Sequence, residues 1–242
     1  MAKLTFLLGE RKQVAEATMS FRFELAGLGF SFQPGQFVRI GLRNPPHPDP
    51  KGNARSFSIA SAPSDPFLLI ASRMTGSPFK TSLAEVPLGT PVSISGPAGS
   101  FVLDPNSHSP VALFAGGIGI TPFRSMIRHV QEHDPARRLT LVYANRCREQ
   151  AAFLEDLEAW AKDNPNFRLL ATMTQPEKSK TPWSGPTGYV DVNFVQRYLP
   201  ELPSGGCYVA GPPRFVSGVT QTLREAGVDG AHVWTDEFTG YK

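Results

Sequence analysis

The chain has 242 residues, of which 40% are hydrophobic and 19% charged, with a formal net charge of +3. That length buries a sizeable core and admits one large domain or two small ones. No apolar run approaches the roughly 18 residues of a membrane helix, MAKLTFLLGERKQ lacks a cleavable-signal layout, and Cys147 and Cys207 are the only cysteines, so the sequence argues against a membrane span, a zinc cage or an iron–sulfur site and reads as cytoplasmic.

Residues 1–105 carry ten Lys and Arg against seven Asp and Glu, whereas the remainder is balanced. The surplus suits an acidic partner or phosphate-bearing ligand, or is a solvated surface. The basic residues form no cluster interleaved with aromatics, which argues against nucleic acid.

In chain order, TMSFRFEL alternates over 18–25, QFVRIGL follows the Pro34-Gly35 turn, and RSFSIAS (55–61), FLLIAS (67–72) and PVSIS (91–95) are short apolar runs between Gly and Pro. A short helix fits 79–85. Six or so such strands predict a small antiparallel barrel. The polar, turn-rich LDPNSHSP (103–110) marks a boundary, giving domains of residues 1–105 and 106–242. Beyond it, VALFA, LTLVYA, FRLLATM, CYVAG and HVW alternate with helical patterns at 122–133, 149–162, 191–199 and 213–226. This alternation predicts a parallel sheet with helices on both faces. The fold class is thus all-β followed by α/β.

VALFA, the first strand of the second domain, runs into Gly116-Gly117-Ile118-Gly119 and then Thr121-Pro122. Ligands of open parallel sheets sit beyond the carboxyl ends of the strands. Glycines there let backbone approach a ligand, and Thr121 as N-cap with Pro122 at the first helical position would open a helix whose N–H groups favour an anion such as a pyrophosphate. A glycine-rich turn without a ligand is the alternative at this stage. The usual dinucleotide fingerprint wants a third glycine where Pro122 stands.

Three further stretches are unusually polar or Gly/Pro-rich for their positions. In ARSFSIAS (54–61), alternation places Arg55 and Phe57 on one face and Ser58 on the other. An arginine fork suits a phosphate and an aromatic suits a planar ring, or these are a surface arginine beside a core phenylalanine. YVAGPPRF (208–215) repeats the strand–glycine–proline design, and DEFTGYK supplies Glu237, Phe238 and Tyr241 at the end of the chain.

Taken in order, RSFS, GPAGSF (96–101), AGGIGITPF, YANR (143–146), YVAGPP and the terminal EF resemble the ferredoxin–NADP⁺ reductase superfamily over roughly residues 5–240. The resemblance implies a flavin-binding barrel followed by a Rossmann-like pyridine-nucleotide domain. It also accounts for Pro122, because in that family a glycine loop ending in Thr-Pro receives the nucleotide. By the same pattern, Arg55, within Arg55-Ser56-Phe57-Ser58, would bind the flavin pyrophosphate. Phe57 would stack near the isoalloxazine and Ser58 would lie by its reactive edge. Lys80, Thr81 and Ser82 of PFKTSL would help hold the pyrophosphate, with Lys80 standing where many relatives have a small hydroxyl residue.

Gly116, Gly117, Gly119, Thr121 and Pro122 would form the nucleotide loop, with Gly211, Pro212 and Pro213 as its second edge and Asn145 and Arg146 at the neighbouring strand end. Glu237 and Phe238 would approach the ring system, Ser58 and Glu237 as the catalytic pair. Phe57 replaces a tyrosine common in the family, at a cost of roughly 0.5–1.5 kcal/mol for the lost hydrogen bond. Ala210 replaces a cysteine. Arg146 or Arg148 could pair with a 2′-phosphate, yet ATMTQPE lacks the further arginine of NADPH-using relatives, a slight lean to NADH.

The resemblance implies a flavoenzyme taking hydride from NADH or NADPH onto FAD, rather than FMN, and passing electrons to a separate acceptor such as a ferredoxin or oxygenase component. The alternatives are a free flavin reductase and a non-catalytic nucleotide-sensing subunit. No metal site is expected. His129 and His133 lie four apart on one predicted helix but have no third ligand, and Trp160 is expected to pack its helix on the sheet.

Overall fold

The computed structural model of the chain describes residues 3–25 and 29–239. Tyr241 lies outside them. The chain divides into two compact units, one of residues 1–103 with 121–129 and one of residues 104–120 with 130–242.

In the first unit, strands β1 (Lys3–Ala15), β2 (Thr18–Glu24), β3 (Phe37–Gly41), β4 (Ala54–Ser58), β5 (Phe67–Arg73) and β6 (Pro91–Ala98) form an antiparallel sheet in the order β4-β3-β6-β1-β2-β5, with α1 (Pro78–Glu85) between β5 and β6. Just past β4, Ala60 N–H donates to the Leu69 carbonyl of β5 at 2.8 Å, bringing the sheet's two edges together. This is the expected barrel. Its inward residues, among them Phe6, Leu8, Phe21, Phe23, Val38, Ile40, Leu68, Ile70 and Ile94, make one buried cluster. On β2, Phe21 and Phe23 lie on the inward face at 1% and 0% exposure, while Thr18 and Ser20 are buried on the opposite face.

Strand β1 was not foreseen. Its 13 residues carry register shifts between Leu8 and Glu10 and between Gln13 and Ala15. Each bulge moves later side chains to the other face, so no single alternation runs through LTFLLGERKQVA.

In the second unit, β7 (Val111–Gly116), β8 (Leu139–Asn145), β9 (Phe167–Met173), β10 (Cys207–Gly211) and β11 (Val233–Glu237) form a parallel sheet in the order β11-β10-β7-β8-β9. Helix α2 (Ile120–His133) follows β7, its residues 121–129 belonging to the first unit, and α3 (Leu154–Asp163), α4 (Val192–Tyr198) and α5 (Pro213–Glu225) connect the later strands. Every residue of β7 is buried, as a central parallel strand covered on both faces should be. Phe114, Val142, Val209, Val216, Val219 and Leu223 belong to one core cluster.

Two helix starts differ from expectation. Gly119, not Thr121, is the N-cap of α2, and a 3₁₀ turn over Gly117–Gly119 precedes it. Pro122 therefore stands third in the helix, still among the first N–H positions that lack an intrahelical acceptor. The helix expected from 149 begins only at Leu154, because the buried Phe153 takes a left-handed φ of +60° after a short 3₁₀ turn at Arg148–Gln150. Among the described residues, no helix is long and apolar enough to cross a membrane.

Candidate functional site

In the first unit, β4 presents Arg55 beside the start of α1. The guanidinium lies 5.5 Å from the Phe79 ring centroid, and Phe79 in turn stacks on Phe57 at 6.1 Å. Arg55 and Phe57 thus share a face, as alternation requires. Arg55 Nη1 donates to the Lys51, Gly52 and Ala54 carbonyls at 3.2, 2.7 and 2.8 Å, and Nη2 donates to Asp49 Oδ2 at 2.5 Å. The same Oδ2 accepts the Phe79 N–H from the first turn of α1 at 3.3 Å, and Oδ1 accepts Lys51 N–H at 2.9 Å. These hydrogen bonds and the Arg55 charge hold the Asp49 carboxyl below its ordinary range, the Lys51 amide being the largest contributor. An arginine and a helix N-terminus converging on one negative group make an anion cradle.

Sequence reasoning overlooked Asp49. The available signal was an aspartate in a Pro-rich turn six residues before the arginine.

The other flavin-side residues are placed as follows. Phe57 and Ser58 are buried at 7% and 9%, and Ser56 faces solvent. Lys80 Nζ donates to the Arg73 carbonyl at 2.9 Å and lies 3.5 Å from Thr75 Oγ1. Burial, and secondarily the Arg55 charge, lowers its pKa to about 8. Thr81 is half-buried in the first turn of α1. Ser82 is fully buried, donating to the His47 carbonyl at 3.2 Å and accepting the His47 N–H at 3.0 Å, so its hydroxyl braces the loop that carries Asp49.

In the second unit the chain leaves β7 toward β8 and β9, then returns to β10 on the other side, so the strand order reverses between β7 and β10. The glycines gather at the carboxyl ends of those two strands. A Cβ at Gly119 would run into the Ala210 carbonyl group and the Gly211 backbone, so this close approach admits only glycine. Gly117 has φ +52° and open space where a Cβ would stand. Gly116 is covered by the Phe215 ring, Thr121 and Pro122 are buried, and Pro212 caps α5 with Pro213 at its first position. Beside Gly211, Phe238 N–H donates to the Gly211 carbonyl at 2.9 Å, while Glu237 is exposed at the end of β11.

At the end of β8, Asn145 Nδ2 is buried with no hydrogen-bond partner among the described residues. A buried donor left unpaired costs free energy, and a bound polar group would recover it. Arg146 is exposed, whereas Arg148 is held by Glu158 through two bonds of 3.0 Å. Glu149 Oε1 accepts the Lys180 N–H at 2.7 Å and so anchors the loop after β9.

These two sites fit the two groups expected of them: a cationic cradle with aromatic neighbours for a flavin bearing phosphates, and, for a nucleotide, a glycine loop at the sheet's switch point with a buried amide at the neighbouring end of β8. The fold and these residues match what a flavin- and nicotinamide-dependent reductase requires.

Comparison with known proteins gives the particular family. The sequence model of the oxidoreductase NAD-binding domain matches residues 113–221. The chain is 33% identical over 231 residues to ferredoxin–NADP reductase B of Sorangium cellulosum, covering 89% of each chain. It is 31% identical over 234 residues to the toluate 1,2-dioxygenase electron transfer component of Pseudomonas putida, spanning 94% of this chain and 65% of that one. A solved cytochrome P450 reductase from Amycolatopsis superposes with a TM-score of 0.83 at 21% identity, covering 100% of this chain and 71% of that one. The chain belongs to the ferredoxin–NADP⁺ reductase superfamily, whose members are FAD-dependent NAD(P)H oxidoreductases.

Proposed function

We propose that the chain takes hydride from a nicotinamide nucleotide onto FAD and hands the electrons to a separate protein, an oxygenase component or a ferredoxin. In this reading residues 1–105 are the flavin domain and 106–242 the nucleotide domain. The observation that carries it is the pairing of a phosphate-competent cradle at Arg55 and α1 with a glycine loop at the strand-order reversal of a parallel sheet.

FAD, when bound, supplies a carrier that accepts two electrons together and releases them singly. The chain's own residues do the positioning. Arg55 and the N-terminus of α1 hold phosphate, with Lys80 and Thr81 nearby. Phe57, backed by the fully buried Phe79, would stand beside the flavin, and Ser58 follows it at the end of β4. Gly116, Gly117 and Gly119, with the first turn of α2, receive the nucleotide phosphates, and Asn145 Nδ2 donates to its polar groups. Glu237 ends β11, and Phe238 follows it with its N–H on the Gly211 carbonyl, beside the glycine loop.

Engagement of Arg148 by Glu158 removes one of two candidate partners for a 2′-phosphate and supports NADH as donor. Both cysteines are free and buried, which accords with a reducing, cytoplasmic setting. The named function of the Pseudomonas relative, an electron transfer component of a dioxygenase, supports an oxygenase as acceptor.

The test is steady-state NADH oxidation by the FAD-loaded protein. The expected rate saturates with an added ferredoxin or oxygenase component and is insensitive to extra free FAD. A rate that tracks free flavin and ignores every protein acceptor would make the chain a free flavin reductase.

A further inference from the structure

Asp49 sits on the donors that the flavin reading assigns to a phosphate. Its side chain is 4% exposed, yet the atoms around it are donors: Arg55 Nη2, the Phe79 N–H and the Lys51 N–H. Lys80 adds a further buried nitrogen close enough to Arg55 for their charges to interact. A carboxylate and a phosphate ask for the same donors, and two anions do not share one guanidinium and one helix N-terminus without repulsion. The turn that carries Asp49 is closed locally, by Gly52 N–H to the Asp49 carbonyl at 2.8 Å with Gly52 at φ +83°, and β3 and β4 flank it. Withdrawing the carboxylate therefore requires a rearrangement at a loop tip and leaves the barrel ladders intact.

We propose that Asp49 is a built-in counter-anion that competes with phosphate for the donors of the flavin cradle and has to be displaced when a phosphorylated flavin binds. This rests on the flavin reading given above and extends it. With Asp49 in place, Arg55 and α1 keep their charges matched without cofactor, and flavin is held more loosely and exchanges more readily than the cradle alone would dictate. The penalty falls on the phosphate, so it applies to FAD and FMN and not to riboflavin, which has none.

The experiment measures binding of FAD, FMN and riboflavin to the flavin-free protein by fluorescence and calorimetry, for the wild type, Asp49→Asn and Asp49→Ser. Circular dichroism and thermal melting confirm that each variant is folded. Asparagine removes the charge and keeps one of the two acceptor oxygens that serve the Lys51 N–H and the Phe79 N–H, whereas serine removes the carboxyl group altogether. The expected result is FAD and FMN bound about tenfold more tightly by both variants, the gain of one charge-assisted contact no longer contested, with riboflavin unchanged. Weaker FAD binding in both variants would overturn the proposal and make Asp49 a residue that orients Arg55. An equal gain for riboflavin would also overturn it, because the effect would not lie at the phosphate. If the wild type and both variants bound none of the three flavins, the flavin reading itself would fall together with the proposal, whereas unchanged FAD affinity in proteins that bind flavin would sink the counter-anion alone.

Discussion

Arg55→Ala is expected to weaken FAD binding by about 10- to 100-fold, the worth of the charge-assisted hydrogen bonds that one guanidinium gives a phosphate. The loss has two sources. The phosphate loses its cationic partner, and Asp49, buried at 4% side-chain exposure, loses its counter-charge while still facing the Phe79 N–H at the start of α1. An uncompensated carboxylate in the cradle then repels the phosphate further. Arg55→Lys should recover part of the affinity only, because an ammonium lacks the fork that reaches both the loop carbonyls and an anion. Titration of the flavin-free variants with FAD checks this. Affinity within twofold of wild type for Arg55→Ala would remove the arginine from the site.

Gly119→Ala should act on the other substrate. The new Cβ would stand 2.5 Å from the Ala210 carbonyl carbon and 2.7 Å from Gly211 Cα, backbone atoms of β10 with no flexible side chain to yield. Either the glycine loop or the end of β10 has to move, and displacements near 1 Å at a reacting geometry cost on the order of 100-fold in rate. Reduction of bound flavin by nucleotide should therefore slow by about 10- to 100-fold with FAD affinity unchanged. Gly117→Ala is the contrast within the protein: its Cβ meets no described protein atom within 4 Å, so beyond the strain of φ +52°, about 1 kcal/mol, it would touch only the nucleotide itself. Stopped-flow reduction of the two variants side by side, at saturating nucleotide, checks the pair, and slowing confined to Gly117→Ala would remove the contact between Gly119 and β10 from the account.

The parts of the fold legible in the sequence were those where one physical rule acts alone. TMSFRFEL alternates cleanly because β2 runs without a bulge, and VALFA is wholly apolar because β7 is covered on both faces. Strand β1 escaped because its two register shifts break the alternation that would announce it. Thr121 looked like an N-cap because Thr-Pro opens many helices, but the 3₁₀ turn at Gly117–Gly119 had already started the coil, and Gly119 caps α2 without a side chain. Phe153 is invisible in the same way, since burial holds a residue with no intrinsic left-handed preference at φ +60°.

At the candidate site, Arg55 and the glycines stood out because their residue types are rare choices at strand ends. Asp49 did not, because its role depends on a loop folding back toward α1, a contact between residues 49 and 79 that no local pattern encodes. The same holds for Ser82, whose hydroxyl looks available in the motif yet is spent on His47.

The central claim is hydride transfer from a nicotinamide nucleotide to a flavin held by this chain. It is tested most directly by mixing the FAD-loaded protein with NADH, and separately with NADPH, in an anaerobic stopped-flow instrument and following flavin absorbance. The expected result is complete bleaching within a single turnover, faster with NADH than with NADPH. Flavin that stays oxidised in the presence of both nucleotides would contradict the claim and leave a chain that binds these groups without passing electrons between them.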